Sequence, residues 1–153
     1  MRRAVSTPGE RTDKAQTKPK RDHHVVGNSG LYWTCYNLSR LGWNVMPTAR
    51  NARGIDIIAY NRDCTKTIAV QVKSLSKRSP VPLGQTLGNI RGDWWVIIVD
   101  VHTKPEAFIL KPKQVKDAAH RGEKEGRVSY WLQTSSYMLE KYRERWNRIG
   151  SAH

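Results

Sequence analysis

A chain of 153 residues with 27 Lys and Arg against 13 Asp and Glu carries a formal charge of +14 and has a pI near 10.2. That length fits one domain able to bury a core without disulfides or a structural metal, and the charge points to a polyanion, with nucleic acid first and an anionic membrane surface second. Cys35 and Cys64 form no C-x-x-C pair, which argues against a disulfide framework or a cysteine-rich zinc module and fits a reducing cytoplasm; no apolar run is long enough for a signal peptide core or a bilayer span.

Residues 1–22 hold seven basic and three acidic residues and almost no large apolar ones. Such a segment cannot bury enough surface to offset its ordering entropy, so it reads as a flexible basic arm. Residues 23–153 form the single domain and keep +10 of the charge. Its first element is a helix through "GNSGLYWTCYNLSRLGW", with Leu31, Thr34, Cys35, Leu38 and Leu41 on one face, Asn28 or Ser29 as N-cap and Gly42 as the stop. A short strand, "WNVMPTAR", follows, and then two strands across residues 55–74 joined by the turn "NRDCTK". Residues 74–93 read as an irregular basic loop. "WWVIIVDV" reads as a central strand buried on both faces, and "EAFILKP" as a further strand stopped by Pro112. Two helices are expected beyond it, a short one ending at Gly122 and a longer one over "SSYMLEKYRERWNRI" capped by Ser135 or Ser136. The order of helix, three or four strands and two helices predicts an α/β or α+β fold around one mixed sheet.

The two strands over 55–74 carry polar residues that need a reason. Gln71 and Lys73 share a face, as do Asp56, Ile58 and Tyr60. If the turn sets Tyr60 opposite Thr67, Asp56 falls across from Gln71; an even slip keeps it on that face and an odd slip removes it. A carboxylate, an amide oxygen and an ammonium on one patch suit a metal-dependent phosphodiester site. Mg²⁺ takes hard oxygen ligands and retains water, so Asp56, Gln71 and the Val72 backbone carbonyl are its candidate ligands. Lys73 is the candidate cation for orienting the water or neutralising charge on the phosphate. The plainer alternatives are an ion pair of Asp56 with Arg53 and a solvated Lys73.

"GIDIIAY" followed by "IAVQVKS" resembles the signature of the PD-(D/E)XK nuclease superfamily in a form with Gln71 for the usual acid. The preceding helix and the buried strand that follows are similar to those of small Holliday-junction-resolvase-like and restriction-endonuclease-like proteins. The resemblance covers residues 25–112 well and the C-terminal part loosely. It implies an α/β, restriction-endonuclease-like core with a mixed central sheet of about four strands flanked by helices. It also implies an Mg²⁺- or Mn²⁺-dependent DNA endonuclease with Asp56, Gln71 and Lys73 as its catalytic set, and by analogy a homodimer. Leu31, after Gly30, stands where many members carry a Glu. That departure motivates the alternative of a nuclease-fold DNA-binding protein without catalysis.

Arg53, Lys77, Arg78 and Arg91 are candidate phosphate contacts beside the patch, and Gln85 a further candidate within the loop. Lys141, Arg143, Arg145 and Arg148 either extend that basic surface or solvate the last helix. Tyr32, Trp33, Tyr36, Trp94 and Trp95 are core aromatics or base-stacking groups. The His23–His24 pair and the two cysteines match no zinc-finger spacing. An RNA-binding role has no RNA-specific aromatic motif behind it.

Overall fold

The computed structural model describes residues 22–49 and 54–153. The proposed arm, apart from Asp22, and Arg53 lie outside the described residues. Helix α1 (His23–Arg40) starts several residues before the expected caps, because the Asp22 side chain accepts a hydrogen bond from the His24 N–H. It ends as predicted: Gly42 takes φ +89°, in the left-handed region that favours glycine.

Five strands form the main sheet: β1 (Asn44–Pro47), β2 (Ile57–Tyr60), β3 (Thr67–Ser74), β5 (Trp94–Val99) and β6 (Glu106–Leu110). Their order is β1-β2-β3-β5-β6, with β3 and β5 parallel and the other pairs antiparallel. This is the expected mixed α/β sheet, with one strand more than the four anticipated. The β2–β3 register sets Tyr60 opposite Thr67, and Ile57 opposite Val70. Every residue of β5 is buried, because its alternate side chains enter two different cores. Trp94, Val96 and Ile98 join Val26, Cys35 and Leu38 of α1 on one face; Trp95, Ile97 and Val99 join Phe108 and Leu110 on the other.

That second face is covered by a layer the sequence analysis did not anticipate. Strand β4 (Val81–Gly84) lies inside the stretch expected to be an irregular loop. Helix α2 (Pro112–Asp117) stops early, and the chain enters β7 (His120–Lys124) and β8 (Arg127–Leu132) instead of remaining helical to Gly122. These strands form a separate antiparallel sheet in the order β4-β8-β7. Val81, Leu83 and Leu132 face the main sheet from it.

The long C-terminal helix is also corrected. Only α3 (Thr134–Tyr137) and one 3-10 turn (Trp146–Arg148) form. The Ile109 N–H donates to the Tyr142 carbonyl at 2.9 Å and the Glu144 N–H to the Ala107 carbonyl at 2.8 Å, so a chain of turns bridges to β6 at Arg143, opposite Phe108. The helical spacing misled because Tyr137 and Tyr142 anchor in the core beneath the small sheet whereas Ile149 anchors in the core beneath α1. A straight helix cannot serve both faces; a chain of turns wrapping the free edge of β6 can, and it covers that edge.

Candidate active site

The polar residues of β2 and β3 meet where the main sheet comes apart. Backbone pairing continues one residue beyond β2: the Asp56 N–H donates to the Val70 carbonyl at 3.0 Å, and the Thr48 N–H donates to the Asp56 carbonyl at 2.9 Å. The β2–β3 register ends at Ile57 opposite Val70, and the Asp56 N–H bonds that same Val70, so Asp56 sits beside Ile57 as an extra residue in the manner of a β-bulge and its observed backbone partner is Val70 rather than Gln71. Beyond it β3 has no strand on that side. The Asp56 carboxylate fills in, accepting the Val72 N–H at 2.7 Å. A strand residue turns its N–H and C=O to the same edge, so the Val72 carbonyl also faces this gap.

Helix α1 closes the gap from above. A cleft of about 330 Å³ is lined by Asp56, Val72, Lys73 and Ser74, by Thr48 and Ala49, and by His23, His24, Gly27, Asn28 and Leu31 of the helix. The helix can lie this close because Gly30 meets β3: a Cβ there would stand 1.9 Å from the Ser74 Oγ. His24, Asn28 and Leu31 follow one another at i, i+4 and i+7, which puts them on one stripe of α1. Sequence reasoning missed both histidines and Asn28 as cleft residues because it started the helix too late; Asp22 as N-cap was the available signal.

Lys73 supplies the cation. Its Nζ lies 5.5 Å from the centroid of the Trp95 ring. Burial pushes its pKa below the ordinary lysine value, while the nearby Asp56 carboxylate acts in the opposite sense. Gln71 is buried, and its Oε1 has no hydrogen-bond partner. It opens toward a neighbouring cleft of about 400 Å³ that it lines with Gly54, Asn89 and Arg91.

The remaining candidates disperse. Arg91 is exposed beside Gln71, its Nε donating to the Gly88 carbonyl. Lys77 is exposed in the turn after β3. Arg78 pairs with Asp100 at 3.0 Å and Glu106 at 3.8 Å, which ties it to the β5–β6 end. Gln85 lines a different cleft, on the small sheet. Two further acids lie elsewhere: the Asp93 carboxylate accepts the Ala69 N–H at 2.7 Å, and Asp100 pairs with Arg78. Among the described residues no group of three or more His, Cys, Asp and Glu is placed to hold a metal ion. Cys35 is buried and Cys64 exposed, and no helix among them is long and apolar enough to cross a membrane.

No protein-family model and no curated protein matches the chain. Two solved structures do. The bacterial homing endonuclease I-Ssp6803I superposes with a TM-score of 0.57 at 14% identity, covering 84% of this chain and 93% of its own. The Holliday junction resolvase Hjc of Archaeoglobus fulgidus superposes with a TM-score of 0.51 at 16% identity, covering 78% and 99%. The chain thus has the restriction-endonuclease-like α/β fold of the PD-(D/E)XK nucleases.

Proposed function

We propose that this restriction-endonuclease-like chain hydrolyses phosphodiester bonds in DNA with the help of Mg²⁺ or Mn²⁺, at the gap between Asp56 and Lys73. The observation that carries the reading is a half-buried lysine, its ammonium against the Trp95 ring, that lines the same cleft as the Asp56 carboxylate at an open strand edge. An ordinary structural lysine keeps its ammonium in water; one held below its usual pKa in a cleft is suited to chemistry.

The oxygens present fit a hard divalent cation. Asp56 contributes its carboxylate and the Val72 carbonyl faces the same gap, while the buried Gln71 Oε1, on the neighbouring cleft, lacks the hydrogen bond such an atom ordinarily has and would have to turn to join them. Such an ion supplies Lewis acidity at the scissile phosphate and lowers the pKa of a bound water. The residues of the chain do the rest. The Val72 N–H fixes the orientation of Asp56, and Lys73 offsets negative charge developing on the phosphoryl oxygens or orients the water. Arg91 and Lys77 hold flanking phosphates without reading sequence. DNA is favoured as the partner by the +14 charge and by the two neighbours, a homing endonuclease and a Holliday junction resolvase. Cutting both strands of a duplex calls for two copies of the site, hence a homodimer, which light scattering tests.

The decisive experiment incubates linear, branched and single-stranded DNA with Mg²⁺ or Mn²⁺, comparing the wild type with Asp56→Ala and Lys73→Ala. The expected result is cleavage by the wild type, with each variant slowed about 10²–10³-fold or more. A wild type that cuts nothing, or variants that cut equally well, overturns the proposal.

A second reading, a DNA-binding module without catalysis, is favoured by Leu31 on the cleft and the single carboxylate there. It expects salt-sensitive DNA binding with no divalent-ion requirement. Mg²⁺ binding by calorimetry, abolished in Asp56→Asn, excludes it.

A further inference from the structure

The small sheet has two faces, and only one is used by the core. Leu132 and Tyr130 pack inward. Strand alternation therefore turns Trp131, Ser129 and Arg127 outward, and the pairing decides what lies beside them. Trp131 stands between Pro82 of β4 and His120 of β7. Ser129 stands opposite Gly122, and Arg127 opposite Lys124. The outer face thus reads along the strands as a row of rings, a shallow row of small residues and a row of two cations. A cleft of about 440 Å³ runs over it, lined among others by Trp131, Arg127, Lys124, Gln85 and Glu125.

The chemistry of the exposed indole is specific. Trp131 is 39% exposed. Its Nε1–H donates to the Ser129 Oγ at 3.2 Å, so the ring's one polar group is satisfied within the protein. What Trp131 offers to solvent is therefore ring carbon. Gly122 leaves the neighbouring row low: a Cβ there would stand 3.6 Å from the Ser129 Oγ. Lys124 and Arg127 have no carboxylate within ion-pair distance among the described residues, whereas Arg121 on the opposite face is paired with Glu123 at 2.9 Å. Trp131 and Arg127 are four residues apart, about 13 Å along the strand.

From this juxtaposition we infer that the outer face of the β4-β8-β7 sheet is a second nucleic-acid site, which binds an unpaired stretch of DNA by stacking a base on Trp131 and holding its backbone with Lys124 and Arg127. A duplex keeps the faces of its bases covered, except at its ends, and gives an indole nothing to stack on. An unpaired strand offers a π-face at every base and a phosphate at every step, and base–aromatic stacking tolerates any sequence. The charge of the face selects a polyanion over an apolar peptide. Gln85, in the same cleft, gains a role here as a hydrogen-bonding group at the edge of a stacked base.

The site requires no metal and no hydrolysis, so its test is separable from that of the proposed nuclease activity. Binding of the full chain to a labelled single strand of about 12 nucleotides and to a blunt duplex of the same length is measured by fluorescence anisotropy in EDTA. Trp131→Ala is expected to weaken single-strand binding about tenfold or more, Trp131→Phe to retain most of it, and both to leave duplex binding unchanged. Lys124→Ala with Arg127→Ala is expected to make the single-strand salt dependence shallower by about 1.4 in log–log slope. No single-strand binding by the wild type overturns the inference. So does a Trp131→Ala variant, folded by circular dichroism, that binds as well as wild type or loses single strand and duplex equally. An unchanged salt slope removes the phosphate contacts from it. A dimer by light scattering that dissociates in Trp131→Ala assigns the face to a second copy of the chain and overturns it as well.

Discussion

The two regions that meet on β3 and β5 are built on opposite terms. Beneath the small sheet, Phe108 and Tyr137 sit edge to face with ring centroids 5.6 Å apart, both fully buried, and the Tyr137 hydroxyl donates to the Ser79 carbonyl at 2.7 Å. The packing there is mostly apolar, with the Glu106–Arg143 ion pair at its edge. Around the cleft under α1 the chain half-buries the Lys73 ammonium, and in the neighbouring cleft it leaves the Gln71 amide oxygen without a hydrogen bond. The first arrangement stabilises the fold, and the second costs stability, as a partly desolvated charge and an unpaired buried amide oxygen do.

That contrast can be broken by substitutions whose effects differ in size and sign. Phe108→Ala is expected to cost most, about 3–5 kcal/mol, because it opens a cavity where nothing can collapse; guanidinium unfolding with an unchanged m-value measures it. Gly30→Ala comes next, at about 1–3 kcal/mol, since its methyl must displace Ser74 and lift α1 from β3. If the close approach is the cause, adding Ser74→Gly returns part of the loss. Lys73→Met is expected to move stability the other way, raising the thermal midpoint at neutral pH while abolishing cleavage. The pH dependence has a definite sign. The lysine pKa is lower in the folded chain than in the unfolded one, so between those two values the unfolded chain binds more protons and stability rises with pH. The advantage of Lys73→Met therefore shrinks as pH climbs through that window toward the ordinary lysine pKa, and a fixed difference at all pH values would contradict the burial. Arg78→Ala should matter least, with the unfolding midpoint barely moved, because its pairs with Asp100 and Glu106 join a side chain that is half exposed.

The region legible from the sequence was the one governed by local rules. The turn after Tyr60 holds the register that sets Tyr60 opposite Thr67, and "WWVIIV" is buried on both faces, because strand period and turn length decide both. The small sheet was illegible for three separate physical reasons. Pro82 reads as a breaker, yet β4 is an edge strand, where a missing N–H is tolerated. β7 is all polar because it is the other edge, although Glu125 and Gly126, both at positive φ, were a usable hairpin signal. The C-terminal residues had helical spacing but two destinations, and only the tertiary structure distinguishes a helix from a strap. Of the residues the motif named, Asp56 and Lys73 line the cleft and Gln71 lines its neighbour, whereas the histidines and Asn28 of α1 depended on a helix start that a single aspartate decides.

The strap has a consequence for how the protein is made. The core under α1 includes Ile149 and Ala152; the Trp43 indole N–H donates to the Gly150 carbonyl, 107 residues away, and the Ala152 N–H to the Leu41 carbonyl. Contacts that span most of the chain form slowly and late. During synthesis the first helix therefore lacks its last packing partners until residue 152 has left the ribosome. The cleft that this helix roofs is therefore completed only when that last segment has docked.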